Sequence, residues 1–510
     1  MLAYAKSGAT MGIEAYQIEV EVDVSQGLPS FNMVGLPEGA VRESRERVKA
    51  AIKNCGYPYP TQRITVNLAP ADVKKEGSGL DLPIACGILC AAGVIPQEKL
   101  KRYCLVGELS LDGSVRPAKG ILPLSMASVR WPIDGVIVPK ENGSEAAIVK
   151  EAVGLPVDHL SQVVEFFQGN VEIEKAAVDI EALFEKGSHG CGVDFRDVVG
   201  QEQAKRALEV AAAGGHNVLM VGPPGSGKTM LAKRLPSILP PLTFEEALET
   251  TAIYSVSGKL PADQPLVVQR PFCAPHHTVS DAGLIGGGNV PKAGLVSLAH
   301  NGILFMDELP EFKKHVLEGL RQPLEDGRVT IARASMSLTF PARFTLVCAQ
   351  NPCPCGHLGD TRKNCACTVN QINRYRNRIS GPLMDRIDIQ IEVPAVEYSE
   401  LSSSRAGEPS SNIKERVVAA RHRQEKRFKG LPIHTNAQMG SKELKKFCKL
   451  NHEQQAFMEK VAEKLALSAR AFHRIIKIGR TIADLEDCRE LKLHHLAEAV
   501  QYRSLDRPIT

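Results

Sequence analysis

The sequence contains no apolar run long enough to cross a bilayer, and its amino end does not resemble a signal peptide, so we expect a cytoplasmic protein without a membrane partner. It also contains no internal repeat and no low-complexity tract. Its 13 cysteines are an odd number and most lie singly in apolar segments, which favours reduced thiols over a disulfide framework. The net charge of +4 is too small to indicate a nucleic-acid partner by itself.

Length and linker positions predict three domains. The 510 residues, 43% of them hydrophobic and 24% charged, suffice for roughly three domains at ~150 residues each. One linker is expected within 171–194, where the glycine-rich stretch 185–192 lies, and a serine-rich one at 401–411. The predicted domains are therefore an amino-terminal domain at 1–170, a central domain at 195–400 and a helical domain at 412–510.

Local patterns predict the fold class of each domain. In the first, alternating residues over 16–24 predict a strand and the charged segment 41–52 predicts a helix, an α+β pattern. In the central domain, apolar strands at 217–221, 302–308 and 344–350 indicate an α/β fold with an open parallel sheet. The third domain has helical periodicity.

A complete GxxxxGK[ST] pattern lies between the strand 217–221 and a predicted helix. In such a loop the backbone N–H groups and the helix N-terminus converge on phosphate oxygens. Its lysine would neutralise the β and γ phosphates, and its threonine would hold Mg²⁺. The chain is therefore predicted to use a nucleoside triphosphate, with a nucleotide-binding loop made of Gly222, Pro223, Pro224, Gly225, Ser226, Gly227, Lys228 and Thr229.

Polar residues follow two other strands of the predicted sheet. Asp307 and Glu308 end one strand, and Asn351 follows another. Because ligands bind at the carboxyl ends of strands in open parallel sheets, we expect these side chains at the nucleotide. Asp307 would complete the Mg²⁺ shell, Glu308 would polarise the attacking water, and Asn351 would orient the same water.

Four of the cysteines fall within fifteen residues, as an insertion at 353–367. Cys353 and Cys355 form one Cys-x-Cys pair, and Cys365 and Cys367 form the other. In an extended segment, side chains two residues apart share a face, so the two pairs could complete a tetrahedral structural zinc site. Reduced thiols or a redox pair are the alternatives, because the spacing is tighter than in common zinc motifs.

Positive charge is concentrated in two stretches. Residues 361–380 carry Arg362, Lys363, Arg374, Arg376 and Arg378 with no acid, and 405–429 carry eight Lys or Arg against three Glu. Both are candidate polyanion contacts. For the second stretch, whose periodicity is helical, a solvated helix face is the alternative.

The order of these motifs resembles that of AAA+ ATPases. Residues 195–201 precede the phosphate loop, and the Asp-Glu strand and the Asn-ended strand follow it. The resemblance implies a ring in which Arg386, within 379–388, is the arginine finger offered to the neighbouring subunit's γ-phosphate. It also implies that Arg470, within 467–471, is the sensor-2 residue of a helical carboxyl-terminal lid.

Further segments narrow the resemblance to the YifB/ComM group of magnesium-chelatase-like AAA+ proteins. They are 270–277, 284–288, 307–312, 321–327 and 351–356. The resemblance spans essentially the whole chain and implies a homo-hexamer that uses ATP and Mg²⁺. In competence-linked members it implies a DNA helicase that drives branch migration on single-stranded or branched DNA during natural transformation.

A hairpin at 328–340 resembles the pre-sensor hairpin that projects into the channel of helicase rings. Arg333 lies at its turn and, with Arg374 and Arg376, is a candidate DNA contact. A plain surface hairpin is the alternative. His276 and His277 are a weak candidate metal pair, because adjacent side chains diverge.

The amino-terminal domain resembles the Lon protease domain, a ribosomal S5 domain 2-like fold, in segments 75–82, 107–117 and 136–142. A Ser-Lys protease needs a nucleophilic hydroxyl and a desolvated lysine. The resemblance puts Gly79 and Leu122 at those positions, so we expect no protease activity. Ser78 and Lys119 lie nearby and leave a shifted dyad as the alternative. The closer analogue is the non-proteolytic Lon-like domain of the RadA recombination ATPase.

Three functions compete at this point. The favoured one is an ATP-driven ring motor acting on DNA. The second is a magnesium-chelatase-type ATPase that remodels a protein partner, although the chelatase motor resembles this chain only in its ATPase part. The third is a scaffold that uses ATP to assemble, which the full set of site residues disfavours.

Overall fold

Long strands form near the amino end, where the sequence alternates. The strand predicted over 16–24 is confirmed as Glu14–Ser25, and the helix predicted over 41–52 as Gly39–Asn54. The computed structural model describes residues 1–36, 39–71, 75, 77, 79–188, 192–288, 291–333, 336–360, 363–395, 407–465 and 467–503. Ser78, Arg362 and residues 401–406 of the predicted linker lie outside these ranges. No helix within them is long and apolar enough to cross a membrane.

The chain divides into two compact units, the first comprising Met1–Lys186 and Thr243–Val268 and the second Gly187–Leu242 and Gln269–Thr510. The strands of the first unit are Leu2–Met11 (β1), Glu14–Ser25 (β2), Ser30–Val34 (β3), Arg63–Ala69 (β4), Tyr103–Leu105 (β5), Glu108–Leu109 (β6), Val115–Arg116 (β7), Gly135–Pro139 (β8) and Gly154–Val157 (β9). A mixed sheet of seven strands has the order β3-β4-β2-β1-β5-β8-β9, and β6 pairs with β7. Alternate residues of β2 face a buried core, which explains its sequence pattern.

The first unit also contains helices, several of which pack on the strands. They are Gly39–Asn54, Asp81–Ala91, Gln97–Leu100, Ile121–Ser128, Gly143–Ala146, Leu160–Gln168, Ile180–Ser188 (whose last two residues belong to the second unit) and Phe244–Ser257, with a 3-10 turn at Lys140–Asn142. Asp81–Ala91 is buried along nearly its whole length and packs on β1 and β2.

Residues 243–268 belong to the first unit, whereas the predicted central domain contains them. Helix Phe244–Ser257 begins with a capping box in which Thr243 and Glu246 exchange hydrogen bonds. Ser255 Oγ donates to Glu145 Oε1 at 2.5 Å, and the helix packs on Ile121–Ser128. The segment is thus an insertion that contributes a helix to the first unit.

The second unit is built on a five-stranded sheet. Its strands, and those of two smaller ribbons, are Val218–Val221 (β10), Phe272–Cys273 (β11), Gly286–Gly287 (β12), Lys292–Ala293 (β13), Ile303–Met306 (β14), Arg328–Arg333 (β15), Met336–Pro341 (β16), Thr345–Gln350 (β17) and Ile389–Glu392 (β18). The main sheet has the order β11-β14-β17-β10-β18, and all of its pairs are parallel. The predicted strands and the hairpin β15–β16 are confirmed.

Helices pack on this sheet and extend beyond it. They are Glu202–Gly214, Lys228–Ile238, Asp281–Leu284, Leu295–Leu298, Lys314–Gly319, Arg321–Asp326, Val369–Arg376, Gly381–Met384, Ser410–Phe428, Ser441–Phe447, His452–Leu465, Ala469–Leu485 and Leu493–Gln501, with 3-10 turns at Phe195–Asp197, Leu309–Glu311 and Asn436–Gln438. Ile413 and Ile475, from two helices of the tail, share one buried cluster with Val218 and Val347 of the sheet. The tail therefore belongs to the second unit, and its action as a lid stays a prediction.

A polar cluster ties the amino end of β10 to both neighbouring strands. Asn217 donates through Nδ2 to the carbonyl of Arg386 at 2.8 Å and accepts from the N–H of Leu346 at 2.8 Å. Asp388 is buried and accepts from the Asn217 N–H at 3.3 Å, and Arg474 Nε lies 3.2 Å from it. Burial alone would raise the pKa of Asp388, but the hydrogen bond and charge of His216 and the charge of Arg474 outweigh it and lower that pKa to about 2.

We expect Asp388→Ala to destabilise the second unit by about 3–5 kcal/mol, because it leaves the buried Arg474 guanidinium unpaired. Since the folded-state pKa lies below the ordinary 3.8, the contribution is present above pH 3.8 and is lost as the pH falls toward 2. Denaturant unfolding at neutral pH measures it. Asp326→Ala is the control, because Asp326 is exposed and is not among the groups that act on Arg474, and it should change stability by no more than about 0.5 kcal/mol. Equal effects of the two substitutions would contradict this account of the cluster.

Candidate nucleotide-binding site

The loop after β10 has the backbone geometry that its glycines permit. Gly225 and Gly227 have φ of +77° and +90°, left-handed values that favour glycine. A Cβ atom on Gly222 would lie 2.1 Å from the carbonyl oxygen of Val393, just past β18. The helix Lys228–Ile238 begins directly after the loop. The glycines are therefore required by turn geometry and by close approach, as in a phosphate-binding loop.

Lys228 is buried against this loop. Its Nζ donates to the carbonyl of Gly222 at 2.7 Å and to that of Pro223 at 2.9 Å, and lies 3.4 Å from Asn351 Oδ1. Burial lowers the pKa of Lys228, and the charges of Asp307 and Glu308 oppose that shift. The ammonium is thus held at the base of the loop, between the loop and the acidic strand end.

Thr229 and Asp307 are joined directly. Thr229 Oγ1 donates to Asp307 Oδ2 at 2.6 Å, and the N–H of Glu308 donates to Asp307 Oδ1 at 3.0 Å. A hydroxyl and a carboxylate side by side are oxygen ligands of the kind that Mg²⁺ takes from a protein while it keeps several waters. This pair therefore fits the predicted magnesium site.

Glu308 has an unusual backbone conformation for a residue with a side chain. Its φ is +52°, in the left-handed region. Such conformations occur at functional sites, where the surrounding structure holds them. Glu308 lies between the end of β14 and the 3-10 turn Leu309–Glu311. Its carboxylate is therefore at the same end of the sheet as the phosphate loop.

These residues line one cleft of about 400 Å³. Its described lining is Pro224, Gly225, Gly227, Lys228, Thr229, Met230, Asp307, Glu308, Gln350 and Asn351. The volume lies in the range of small-molecule sites, and polar groups converge from three strand ends. The structure thus brings together the predicted loop, the acidic pair and Asn351.

His277 is a site residue that the sequence suggested only as half of a weak metal pair with His276. The centroids of the two imidazole rings lie 4.1 Å apart, so the expected divergence of these side chains is wrong. Its Nδ1 lies 3.6 Å from Glu308 Oε2, and its ring meets Phe312 edge-on. His277 follows β11, which is the parallel neighbour of β14. The signal that could have found it is its place after a strand next to the Asp-Glu strand, because strand ends of a parallel sheet meet at one edge.

The predicted arginine finger is engaged within its own chain. Arg386 is buried, donates through Nη1 to the carbonyl of Pro382 at 2.5 Å, and pairs through Nη2 with Glu325. It does not line the nucleotide cleft in the described part of the chain. An action on a neighbouring subunit would require the pair with Glu325 to open.

The predicted sensor-2 residue lies elsewhere. Arg470 is exposed and lines a second cavity, of about 260 Å³, with His473, Arg474 and Lys477. Among the residues that the structure describes, it is not part of the nucleotide cleft of its own chain.

The candidate DNA contacts differ in exposure. Arg333 is exposed at the end of β15, its Nε 3.3 Å from the carbonyl of Gly288. Arg374 is also exposed, on the helix Val369–Arg376. Arg376 is half-buried, and its Nε lies 3.4 Å from the carbonyl of Pro352. Arg333 and Arg374 are thus the more accessible candidates.

The four clustered cysteines converge. The sulfur of Cys353 lies 3.4 Å from that of Cys355 and 3.6 Å from that of Cys365. With the sulfur of Cys367 included, all four lie within 4.8 Å of one another. Tetrahedral zinc with bonds of about 2.3 Å would set the sulfurs about 3.8 Å apart. Without an ion, one sulfur holds the negative charge: hydrogen bonds from the N–H groups of His357 and Ala366 lower the pKa of Cys355 to about 6, whereas the neighbouring sulfurs raise the pKa of Cys365 to about 12 and also raise that of Cys367. The cluster therefore fits zinc.

Glu486, His494 and His495 form a second cluster of metal-binding residue types. Both imidazole Nε2 atoms lie 3.0 Å from one carboxylate oxygen of Glu486. However, Nδ1 of His495 accepts from the N–H of Lys492, so its proton is on Nε2. A histidine that binds metal through Nε2 carries its proton on Nδ1, so this cluster is better described as a hydrogen-bonded helix start.

The main sheet is parallel, a phosphate loop follows β10, its first strand in chain order, and an acidic pair follows β14, its third. Together with the strand order, these features define an AAA+ P-loop ATPase. Family models agree. "Magnesium chelatase, subunit ChlI" matches residues 194–401, "Subunit ChlI of Mg-chelatase" matches 20–142, and "Magnesium chelatase, subunit ChlI C-terminal" matches 407–503. The chain belongs to the YifB/ComM family of magnesium-chelatase-like AAA+ proteins.

Similar proteins support this membership. The competence protein ComM of Haemophilus influenzae is 45% identical over 99% of this chain and 98% of its own length. The uncharacterised protein YifB of Escherichia coli is 44% identical with the same coverage of both chains. The magnesium-chelatase 38 kDa subunit of Cereibacter sphaeroides is 29% identical over 31% of this chain and 52% of its own length.

We expect His277→Ala to lower kcat for ATP hydrolysis by about 1.5- to fivefold with little change in KM. A partly exposed contact between an imidazole and a carboxylate is worth about 0.2–1 kcal/mol, and this carboxylate is the one predicted to activate water. Steady-state kinetics measure this, and His277→Gln, which keeps a donor, should restore part of kcat. His315→Ala is the matched control, since the His315 imidazole lies 3.2 Å from Asp281 and does not line the cleft among the described residues. A fall in kcat with the control alone would contradict the assignment.

Proposed function

We propose that this chain is an ATP-hydrolysing motor that acts on DNA as a ring of identical subunits and promotes branch migration during recombination. The observation that carries the proposal is the cleft in which Lys228, the Thr229–Asp307 pair and Glu308 converge on one volume. Each has the chemistry that phosphoryl transfer to water requires.

The roles of these groups follow from their positions. Lys228 would turn from the loop carbonyls to the β and γ phosphates, a move of a single flexible side chain. Thr229 and Asp307 would hold Mg²⁺, which neutralises charge on the phosphates. Glu308, exposed to the cleft and near His277, would orient the attacking water and accept its proton, with Asn351 as a second hydrogen-bonding partner.

Three features favour DNA as the polymer on which the motor acts. A relative of nearly full-length similarity is named a competence protein. Arg374 and Lys363 are exposed in a stretch that contains no acid. Arg333 is exposed at the end of a two-stranded hairpin, where a polyanion could reach it. Arg376 is more enclosed and contributes less to this surface.

Assembly into a ring would supply a further positive charge at the γ-phosphate. Arg386 would stabilise the γ-phosphate of a neighbouring subunit once it leaves Glu325, and a permanently charged planar guanidinium suits that task. Arg470, exposed and outside its own cleft, would report on nucleotide from the helical tail when subunits assemble. A hexamer is the assembly that the family resemblance implies.

We also propose that the first unit is a Lon-like domain without protease activity. Gly79 has no side chain, and Leu122 is fully buried in the helix Ile121–Ser128. Lys119, the alternative base, is exposed and thus lacks the desolvation that a catalytic lysine needs. The domain would then serve assembly or DNA binding.

ATP hydrolysis at moderate salt, measured without DNA and with single-stranded, duplex or four-way junction DNA, tests the main proposal. We expect stimulation by DNA, and Glu308→Gln should lower kcat by about 10²- to 10⁴-fold while nucleotide still binds. Glu311→Gln is the matched control, because Glu311 pairs with Arg378 and does not line the cleft among the described residues. If the rate of ATP hydrolysis were the same with and without each DNA, and if no salt-sensitive DNA binding were found, the DNA motor would be overturned and a protein-remodelling ATPase would be favoured.

We further propose that Cys353, Cys355, Cys365 and Cys367 bind one structural Zn²⁺. Metal analysis of protein purified without chelator should find about one zinc per chain, and Cys355→Ser should lower that content sharply. Cys488→Ser, which alters a thiol outside the cluster, should leave zinc unchanged. Protein without zinc, folded and with four titratable thiols in the cluster, would contradict the site.

A further inference from the structure

The cysteine loop lies directly against the phosphate loop. Gly356, at its first turn, is buried, has φ of +84°, and donates its N–H to the carbonyl of Cys353 at 3.0 Å. A Cβ atom on Gly356 would lie 2.7 Å from Cδ and 2.8 Å from Cγ of Pro224. The turn backbone therefore packs on the proline ring with no room for even a methyl group.

The same turn is continuous with the other side of the cleft. Asn351, which lines the cleft, is two residues from Cys353, and the Gly356 Cβ position lies 3.9 Å from Asn351 Cγ. Pro224 also lines the cleft. One turn thus supports both the phosphate loop and the amide assigned to orient water.

Regular secondary structure does not hold this loop. Between β17 and the helix Val369–Arg376, the described residues form neither helix nor strand. Cys365 and Cys367 approach the first pair from the far end of the loop, and the Cys367 N–H donates to the Cys365 sulfur at 3.4 Å. A bond from each of four sulfurs to one ion would fix both ends of the segment, including the turn at Gly356.

We propose that Zn²⁺ in the four-cysteine site positions the phosphate loop through the contact of Gly356 with Pro224, so that nucleotide binding depends on the metal. This inference rests on the zinc site proposed above. The cysteine loop then helps to hold the ATP site in position, and residues 353–356 act as positioning residues.

The test compares two glycines of the loop. Gly356 and Gly359 both have left-handed φ, +84° and +77°, so alanine at either position carries similar backbone strain. Only at Gly356 would the new methyl meet Pro224, whereas no atom of another described residue, apart from the chain neighbours, lies within 4 Å of the Cβ position of Gly359. We expect Gly356→Ala to keep its zinc but to bind ATP about tenfold more weakly, because the methyl displaces the loop whose N–H groups are predicted to contact the phosphates, and tenfold is roughly the effect of losing one hydrogen bond to a charged group. Gly359→Ala should bind ATP like the unaltered chain.

The readouts are zinc per chain, equilibrium binding of a fluorescent ATP analogue, and thermal unfolding to verify folding. A second variant tests whether any loss of ATP binding is due to the contact of Gly356 with Pro224. Pro224→Ala removes the ring atoms that the new methyl would meet, so Gly356→Ala should add little to the effect of Pro224→Ala. Chelation of zinc from the unaltered chain should weaken ATP binding in the same direction as Gly356→Ala.

The outcomes separate this inference from the proposals on which it depends. Full zinc with unaltered ATP binding in Gly356→Ala, or fully additive losses with Pro224→Ala, would overturn the coupling and leave the zinc site standing. Protein that never contains zinc would overturn both. An unaltered chain that holds zinc but binds no nucleotide would overturn the ATPase itself.

Discussion

The site depends on the register of three parallel strands. Val221 pairs with Gln350, and Met306 pairs with Cys348, so the residues that follow these strands come out at one edge of the sheet. There the N–H of Gly222 donates to the carbonyl of Gln350 at 3.2 Å, and Thr229 reaches Asp307. A shift of one residue in either pairing would turn alternate side chains to the other face and separate the loop from its acids.

The polar cluster at the opposite edge of the sheet holds that register. Asn217 hydrogen-bonds to backbone groups of the chain on both sides of β10, and Asp388 connects the sheet to the helix Ala469–Leu485 through Arg474. The helical tail is thereby joined to the strand that carries the phosphate loop. The helices of the tail and the central sheet also share one buried apolar cluster.

Local motifs made the centre of the site predictable from sequence. The phosphate loop depends on glycines whose φ values and close contacts are local, and the acidic pair and Asn351 were found because strand ends of a parallel sheet meet. The contact of His277 with Glu308 was missed, because it depends on which strand neighbours β14. The pairing of Arg386 with Glu325 and the insertion of 243–268 into the first unit depend on contacts distant in sequence, which periodicity does not encode.

The most direct test of the central claim is strand exchange on a fluorescently labelled four-way junction, followed in real time. The account predicts that ATP and Mg²⁺ drive the junction to its products, and that a non-hydrolysable ATP analogue leaves it intact. Hydrolysis of ATP at an undiminished rate while the junction stays unmoved, with every other branched or single-stranded substrate equally unaffected, would contradict a DNA motor.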